Sequence, residues 1–113
     1  MTASLAKSQT YNEKSGLEVI MSIVHVNEFT AAAKKPAELF IFLQALVPYI
    51  TAAKGCLSCE LLRHHEHRDQ FMMIEPWYDI ESHQLAITDY PQEEMQAAMS
   101  LFGAAPKGNY YRL

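Results

Sequence analysis

Two dense groups of side chains that could bind a metal lie in the middle of the sequence. The first is Cys56-x-x-Cys59, and the second is the turn from His64 to His67, which holds three histidines and one glutamate. Thiols and imidazoles at short spacing are typical of zinc sites and redox disulfides. However, residues three apart on a strand point to opposite faces, and a polar turn directs its imidazoles into water. We therefore predict reduced thiols and a solvated turn, with opportunistic metal binding at the turn as the alternative.

A sparser set of candidates lies on strands that are otherwise apolar. His25 and Asn27 share one face near the end of the first predicted strand, where both could donate hydrogen bonds to an anionic substrate. Trp77 could stack on an aromatic ring and donate its indole N–H. Each of these residues also has a structural interpretation, as a core tryptophan or as strand-end polar groups satisfied by backbone or water.

Glu75 is a carboxylate on an apolar phase of its strand. If it is buried, it must be hydrogen-bonded or become neutral. A general base is one interpretation. We favour a structural role, in which the carboxylate holds the backbone or a dimer contact.

The elements that position these residues begin near Gly16. Leu17–Val26 is apolar and β-branched, which predicts a buried strand. Pro36 opens a helix that we expect to end at Gly55, and Pro48 should kink or break its last turn. The predicted apolar face of this helix comprises Leu39, Phe40, Leu43, Leu46, Val47 and Ile50.

The second half of the chain predicts a hairpin and an interrupted helix. The strands are residues 55–65 and 70–77, joined by the polar turn HEHRD. Asp79 is a suitable N-cap for a helix that Tyr90-Pro91 interrupts and that resumes from Gln92 to Phe102. Asn109–Leu113 supplies a short last strand.

The order β-α-β-β-α-β is the ferredoxin-like arrangement, an α+β fold with an antiparallel four-stranded sheet. Two helices cover one face of such a sheet. The predicted third strand is nonetheless apolar on both faces, with Met73 and Trp77 on one side and Met72 and Ile74 on the other. Something must cover the second face, so we predict a homodimer in which two sheets pack face to face.

Length and composition bound the classes of function. The 113 residues fit a single domain, which we place at residues 17–113 after a flexible arm at residues 1–16. The net charge of −4 and the lack of a basic stripe argue against nucleic acid or an anionic membrane as a partner. No apolar run has the length of a membrane span or of a signal-peptide core, which predicts a cytoplasmic protein.

The central segment resembles a known family. GCLSCELLR, a polar hairpin and FMMIEPW are similar to the antibiotic biosynthesis monooxygenase family of dimeric α+β barrels. The resemblance covers roughly Ile20 to Phe102 and includes Leu46-Val47-Pro48, Gly55-Cys56, and a glutamate two residues before Trp77. It implies a substrate cavity between the sheet and the helices of each subunit, lined in part by Trp77.

The chain departs from this family at two positions. Cys59 stands where members often have an aromatic residue, and Ala86 stands where haem-degrading members have the histidine that binds iron. His83 lies three positions before Ala86, about 60° around an ideal helix. The departure at Ala86 argues against haem, and we predict that no cofactor is needed. His83, Tyr90 and Met73 are further candidates for contact with a substrate.

The leading hypothesis is a cofactor-independent monooxygenase that acts on a polycyclic phenol, a quinol or a similar electron-rich aromatic. The substrate anion itself would reduce dioxygen, without a metal or a flavin, and Trp77, Asn27 and His25 are the expected catalytic residues. Three alternatives stay open. They are an isomerase that uses His25 with Glu75 as an acid/base pair, a non-catalytic ligand-binding dimer, and a haem-degrading enzyme.

Overall fold

The structure of the protein, a computed structural model, describes residues 22–112. The predicted arm and the start of the predicted first strand, residues 1–21, lie outside the described residues. In chain order the elements are β1 (Ile23–Thr30), α1 (Pro36–Ala52), β2 (Glu60–Arg63), β3 (Gln70–Trp77), α2 (Ile80–Asp89), α3 (Gln92–Ala98), a 3-10 turn (Met99–Leu101) and β4 (Lys107–Tyr111). None of the helices among the described residues is long and apolar enough to cross a membrane.

The four strands form one antiparallel sheet in the order β2-β3-β1-β4. This order confirms the predicted α+β ferredoxin-like fold. Since β1 is central, its side chains have neighbours on both sides. His25 lies opposite Glu75 of β3 and Tyr110 of β4. The sheet thereby joins residues that are far apart in sequence.

The core lies between one face of the sheet and the helices. Its largest fully buried side chains are Trp77, Leu39, Leu43 and Met73. The predicted apolar face of α1 is confirmed, since Leu39 and Leu43 are buried and Phe40, Leu46, Val47 and Ile50 pack against them. The opposite face of the sheet carries Met72 and Ile74 of β3, and the homodimer expected through this face stays a prediction.

The first strand extends further than its apolar pattern suggests. Pairing with β3 continues to Thr30, opposite Gln70, so His25 and Asn27 lie within the strand and not at its end. The prediction stopped at Val26 because polar residues follow it. Those polar residues make the hydrogen bonds of the sheet through their backbone groups, and their side chains alternate between the cavity side and solvent. The change in composition therefore does not end the strand.

The predicted second strand, residues 55–65, is wrong at both ends. Only Glu60–Arg63 pairs with β3 as a strand, whereas Cys56 forms an isolated bridge with Trp77. Gly55 itself has a left-handed backbone conformation, with φ of 88°. Two residues later the chain contacts β3 again, where the Leu57 N–H donates a hydrogen bond to the Pro76 carbonyl at 2.9 Å.

The helix α1 ends earlier than predicted but is not broken by its proline. Pro36 occupies the first turn as expected, and the helix passes through Pro48 for four more residues before it ends at Ala52. Pro48 lacks an N–H and so removes only one helical hydrogen bond. Ile50, two residues later, packs against both core clusters, the larger around Leu39 and Leu43 and the smaller around Trp77. This packing outweighs the lost hydrogen bond. Gly55 therefore belongs to the turn after the helix.

The structure confirms the predicted start of the second helical region and its predicted interruption. The Asp79 carboxylate accepts a hydrogen bond from the Ser82 N–H at 2.8 Å, and α2 ends at Asp89 before the Tyr90-Pro91 break. The predicted helix to Phe102 is too long, because α3 ends at Ala98 and tightens into the 3-10 turn. The last strand starts at Lys107, two residues earlier than predicted.

Gly55→Ala is expected to lower the free energy of unfolding by about 1–3 kcal/mol, because a side chain is strained at this φ and its Cβ would overlap the Ser82 hydroxyl. Urea unfolding followed by circular dichroism measures the change. The neighbouring exposed residue Lys54, changed to alanine, is the control and should shift stability by less than about 0.5 kcal/mol. Equal stability of Gly55→Ala and wild type would contradict the assigned turn.

Candidate active site

A cavity of about 170 Å³ opens between the helices and the inner face of the sheet. Most of its wall is apolar or aromatic, with residues from β1, α1, β3 and the region after α2. This part of the lining includes Phe29, Phe42, Leu46, Ile50, Met73 and Tyr90. An apolar cavity with a few polar groups is the usual form of a small-molecule site.

The polar groups of the cavity are concentrated in one cluster. Glu75 Oε1 accepts a hydrogen bond from Trp77 Nε1 at 3.1 Å, and it lies 3.6 Å from His25 Nδ1 and 3.9 Å from His83 Nε2. On its other side, His83 Nδ1 lies 2.6 Å from the Tyr110 hydroxyl. The imidazoles of His25 and His83 stack with centroids 3.9 Å apart. We call these five residues the histidine–glutamate cluster.

Among residues 22–112, one side-chain atom of this cluster and one beside it are buried without a hydrogen-bond partner. They are His25 Nδ1 and Asn27 Oδ1. Unpaired buried polar atoms cost free energy, and they are rare in folded proteins unless a ligand or water satisfies them. Both residues line the cavity. These two atoms therefore keep hydrogen-bonding capacity that a bound ligand, or for His25 a small movement towards Glu75, would satisfy.

Burial, and next the nearby His25, lowers the pKa of His83 to about 4, with Glu75 opposing the shift. The imidazole is accordingly neutral at pH 7. Burial, with a smaller effect of Glu75, raises the pKa of Tyr110. At neutral pH the pair is thus a neutral imidazole beside a phenol, and one proton lies between Nδ1 and the hydroxyl oxygen.

This shift predicts a pH dependence of stability. Between pH 6.5, near which an unfolded histidine titrates, and pH 4, the unfolded chain binds more protons at His83 than the folded chain does. The free energy of unfolding should consequently fall as the pH is lowered through this window, by about 2–3 kcal/mol from this residue. Urea titrations at pH 7 and pH 4.5 measure the change.

The matched variants for this test are His83→Gln and His65→Gln. His83→Gln should lose most of that pH dependence, and His65→Gln is the control at an exposed position of the hairpin turn. A wild-type slope that survives in His83→Gln would show that other groups cause it.

All six residues predicted to contact substrate or to act in catalysis line this one cavity. They are His25, Asn27, Met73, Trp77, His83 and Tyr90. Their functional roles stay predictions. Sequence reasoning missed Tyr110 altogether, and it favoured a structural role for Glu75, which lies at the centre of the cluster. Alternation on β4 could have indicated that Tyr110 faces inward, had the pairing of β4 with β1 been known.

The two conspicuous groups of metal-type side chains lie elsewhere. His64, His65, Glu66 and His67 are all exposed, and His64 Nδ1 accepts hydrogen bonds from the N–H groups of Glu66 and His67 at 2.9 and 3.0 Å. The turn is solvated, as predicted. His64 acts there as the acceptor that closes the hairpin loop.

Cys56 and Cys59 are both free thiols. Burial, and next the charge of Glu75, raises the pKa of Cys56 to about 11 and that of Cys59 to about 12. Since the thiolate is the reactive form, both thiols are poor nucleophiles at neutral pH. Cys56 packs beside Trp77 and Cys59 packs beside the larger core cluster.

Solved structures with the same fold are numerous. Protein PA3566 from Pseudomonas aeruginosa has a TM-score of 0.75 and 25% sequence identity, over 84% of this chain and 97% of that one. SnoaB from Streptomyces nogalater, a cofactor-independent oxygenase, has a TM-score of 0.71 and 18% identity, over 82% and 93% of the two chains. A putative antibiotic biosynthesis monooxygenase from Deinococcus radiodurans reaches 0.70 and 17%, over 80% and 91%.

Comparison at the level of sequence families gives a more specific result. No curated protein matches the chain significantly. The model of the antibiotic biosynthesis monooxygenase family matches residues 22–87, more than half of the chain. This match spans four residues of the histidine–glutamate cluster, from His25 to His83. The chain therefore belongs to the antibiotic biosynthesis monooxygenase family.

Proposed function

We propose that the protein is a cofactor-independent monooxygenase that oxidises a phenol or hydroquinone. The observation that carries this proposal is the histidine–glutamate cluster, a set of buried acid/base groups at the wall of an apolar cavity. His25 of this cluster and the neighbouring Asn27 each carry an unpaired buried polar atom. Such a site can remove a proton from a hydroxylated aromatic ring and hold the anion away from water.

The size and lining of the cavity favour a substrate with one aromatic ring in the cavity. The cavity measures about 170 Å³, and in other proteins a buried apolar cavity of about 150 Å³ accommodates benzene. A second ring would extend towards the cavity mouth. A cavity of this size favours a phenol or hydroquinone smaller than the polycyclic substrate that the sequence suggested.

We assign His25 the role of general base. Its Nδ1 faces the Glu75 carboxylate at 3.6 Å, a separation that a small movement on substrate binding would convert into a hydrogen bond. A carboxylate in this position orients the imidazole and stabilises the imidazolium. His25 Nε2 is then the atom that accepts the phenolic proton. Asn27, whose amide lies on the same face of β1, is placed to stabilise the phenolate.

The reaction then follows from the anion. The phenolate transfers an electron to dioxygen, and a carbon–oxygen bond forms at the ring to give a hydroperoxide. Loss of water leaves a quinone, so one oxygen atom enters the product and the other leaves as water. The ring loses four electrons, dioxygen gains four, and the proton held by His25 leaves with the water.

The comparisons support this proposal without identifying the substrate. The family to which the chain belongs takes its name from monooxygenases. SnoaB, which shares the fold, is a cofactor-independent oxygenase. The proposal predicts oxygen uptake by chelator-treated, flavin-free protein with members of a panel of phenols, hydroquinones and anthrones, measured with an oxygen electrode. No uptake above the rate without protein, across the whole panel, would contradict it.

One observation favours a second candidate, an isomerase acting on a small oxygenated metabolite. His83 and Tyr110 form a close acid/base pair at 2.6 Å, beside the pair of His25 and Glu75. Two such pairs could remove and return a proton without oxygen. Turnover under anaerobic conditions would support the isomerase and exclude the oxygenase, whereas a strict requirement for dioxygen does the reverse. A ligand that binds and is never converted would favour the non-catalytic alternative.

We also propose that the protein is a cytoplasmic homodimer that pairs through the open sheet face. Val26 and Met72 are half-buried apolar residues on that face. Placing lysine at both positions should convert a dimer into a monomer in light-scattering measurements, since two buried like charges would oppose pairing. A wild-type protein that is monomeric at high concentration would contradict this assignment.

A further inference from the structure

We propose that His25, Glu75 and His83 form a binding site for one divalent first-row transition-metal ion. The three residues are buried on adjacent elements, and one ligand atom from each lies within 4.8 Å of the others. This site goes beyond the proposed oxygenase, whose chemistry needs no metal. It also differs from the exposed His64–His67 turn, which the sequence made the more obvious candidate.

The spacing of the donor atoms is close to that of a bound site. Tetrahedral ligands at 2.0–2.1 Å from a metal lie about 3.4 Å from one another. Glu75 Oε1 lies 3.6 Å from His25 Nδ1 and 3.9 Å from His83 Nε2. These two separations exceed the tetrahedral value by a few tenths of an ångström. The donor atoms of the two imidazoles lie within 4.8 Å of each other, so the two rings would move together by about an ångström to complete the coordination. Two imidazoles with one carboxylate favour zinc, iron, cobalt, nickel or copper over calcium and magnesium.

The surroundings of the three residues fit ligands of a metal. An imidazole that binds a metal through one nitrogen usually donates its other N–H to a nearby acceptor. His83 has the Tyr110 hydroxyl at 2.6 Å from Nδ1, which leaves Nε2 for the ion. The Glu75 carboxylate is held by the indole N–H of Trp77 at 3.1 Å. These contacts fix the orientation of two of the three proposed ligands.

The unpaired nitrogen of His25 is an independent indication of a ligand. His25 is 7% exposed, and its Nδ1 is buried with no hydrogen-bond partner. This atom lies on the same side as Glu75 Oε1, so an ion between them would satisfy it. All three residues line the cavity. The ion would therefore keep at least one coordination position for water or for an oxygen atom of a small molecule.

Binding of the ion changes the proposed chemistry. The metal occupies the lone pairs of His25 Nδ1 and Glu75 Oε1 and leaves the proton of His25 on Nε2. That nitrogen can then no longer accept a proton from the substrate. The metal-loaded protein is accordingly inactive in the cofactor-free reaction, and metal binding and oxygenation compete for the same side chains.

The test uses full-length protein stripped with a chelator and titrated with Co(II). We expect one ion per chain, with the visible absorption of four- or five-coordinate Co(II). Trp77 is the only tryptophan in the chain, and its ring centroid lies 5.2 Å from that of His83. Its fluorescence should thus be quenched in step with the absorption. No bound ion, or binding without quenching, would overturn the site.

Variants locate the ion. His83→Ala should abolish binding and quenching, and Tyr110→Phe, which removes only the outer hydroxyl, should weaken binding about 10-fold. A variant with alanine at His64, His65 and His67 should bind as wild type does. If that triple variant does not bind the ion while Tyr110→Phe binds it with full affinity, the ion lies at the turn and not in the cluster. Tyr110→Phe keeps the test valid if His83→Ala does not fold.

A parallel assay separates this site from the proposed function. One equivalent of Zn(II) should abolish oxygen uptake by the stripped protein. If stripped protein shows no uptake but binds Co(II) at the cluster, the oxygenase proposal fails and the metal site stands. If uptake occurs and no ion binds, the metal site fails and the oxygenase stands.

Discussion

His25→Ala is expected to lower kcat for substrate-dependent oxygen uptake by a factor of about 10²–10⁴, the usual contribution of a general base. The imidazole lines the cavity beside Glu75, so its loss removes the proposed proton acceptor, whereas the carboxylate keeps the hydrogen bond from Trp77. Steady-state oxygen consumption with the best substrate of the panel measures the change.

The matched control for this variant is His65→Ala. His65 is exposed in the hairpin turn, so its replacement should leave both kcat and the fold unchanged. Circular dichroism must show that His25→Ala is folded. A folded His25→Ala protein with kcat within a factor of two of wild type would exclude His25 as the base.

Trp77→Ala is expected to lower the free energy of unfolding by about 3–5 kcal/mol, as large aromatic truncations in cores do. The side chain is fully buried, and it packs against Ile23 and Ala86 in the smaller core cluster. Its indole N–H also donates to Glu75 at 3.1 Å, so the variant leaves a buried carboxylate without that donor. Urea unfolding at pH 7 measures the loss.

Trp77→Phe divides this effect into two parts. Phenylalanine keeps much of the apolar volume and removes the N–H donor, so a loss of about 1–3 kcal/mol reports the unsatisfied carboxylate together with the smaller ring. Leu85→Ala, at a position that is 63% exposed, should change stability by less than about 0.5 kcal/mol. If Trp77→Ala were no more destabilising than Leu85→Ala, the assigned core would be wrong.

The sequence predicts the sheet best where apolar pattern and turn residues agree. The strand at residues 70–77 has the predicted ends, because a polar turn precedes it and the N-cap Asp79 follows it. The first strand continues four residues beyond its predicted end, although Asn27 and Glu28 interrupt the apolar run. Sheet pairing depends on backbone groups, so polar side chains that face a cavity or solvent do not end a strand.

The helix α2 shows why hydrophobicity alone misplaces a site. Leu85 and Ile87 are 63% and 61% exposed, whereas His83 and Ala86 are buried. A polar residue on the buried side is compatible with folding because partners from other elements satisfy it, here the Tyr110 hydroxyl. That compensation cannot be read from the helix itself, and it is the reason that His83 was only a secondary candidate.

The histidine–glutamate cluster illustrates the limit of the sequence. Its members come from β1, β3, α2 and β4, and their contacts depend on the register that sets His25 opposite both Glu75 and Tyr110. The family resemblance identified the cavity and Trp77. It did not identify the central acceptor, because an isolated carboxylate on an apolar strand is equally compatible with a structural clamp. Only the placement of two imidazoles around Glu75 favours chemistry.

The histidine–glutamate cluster is proposed to support oxygenation by substrate and dioxygen alone. A turnover under oxygen-18 gas with chelator-treated, flavin-free protein separates this reaction from metal or flavin chemistry. Mass spectrometry should find one labelled oxygen atom per quinone product, with one dioxygen consumed per substrate. His25→Ala should form the same labelled product about 10²–10⁴-fold more slowly. A product without label, or turnover only after a metal or flavin is added, would contradict it.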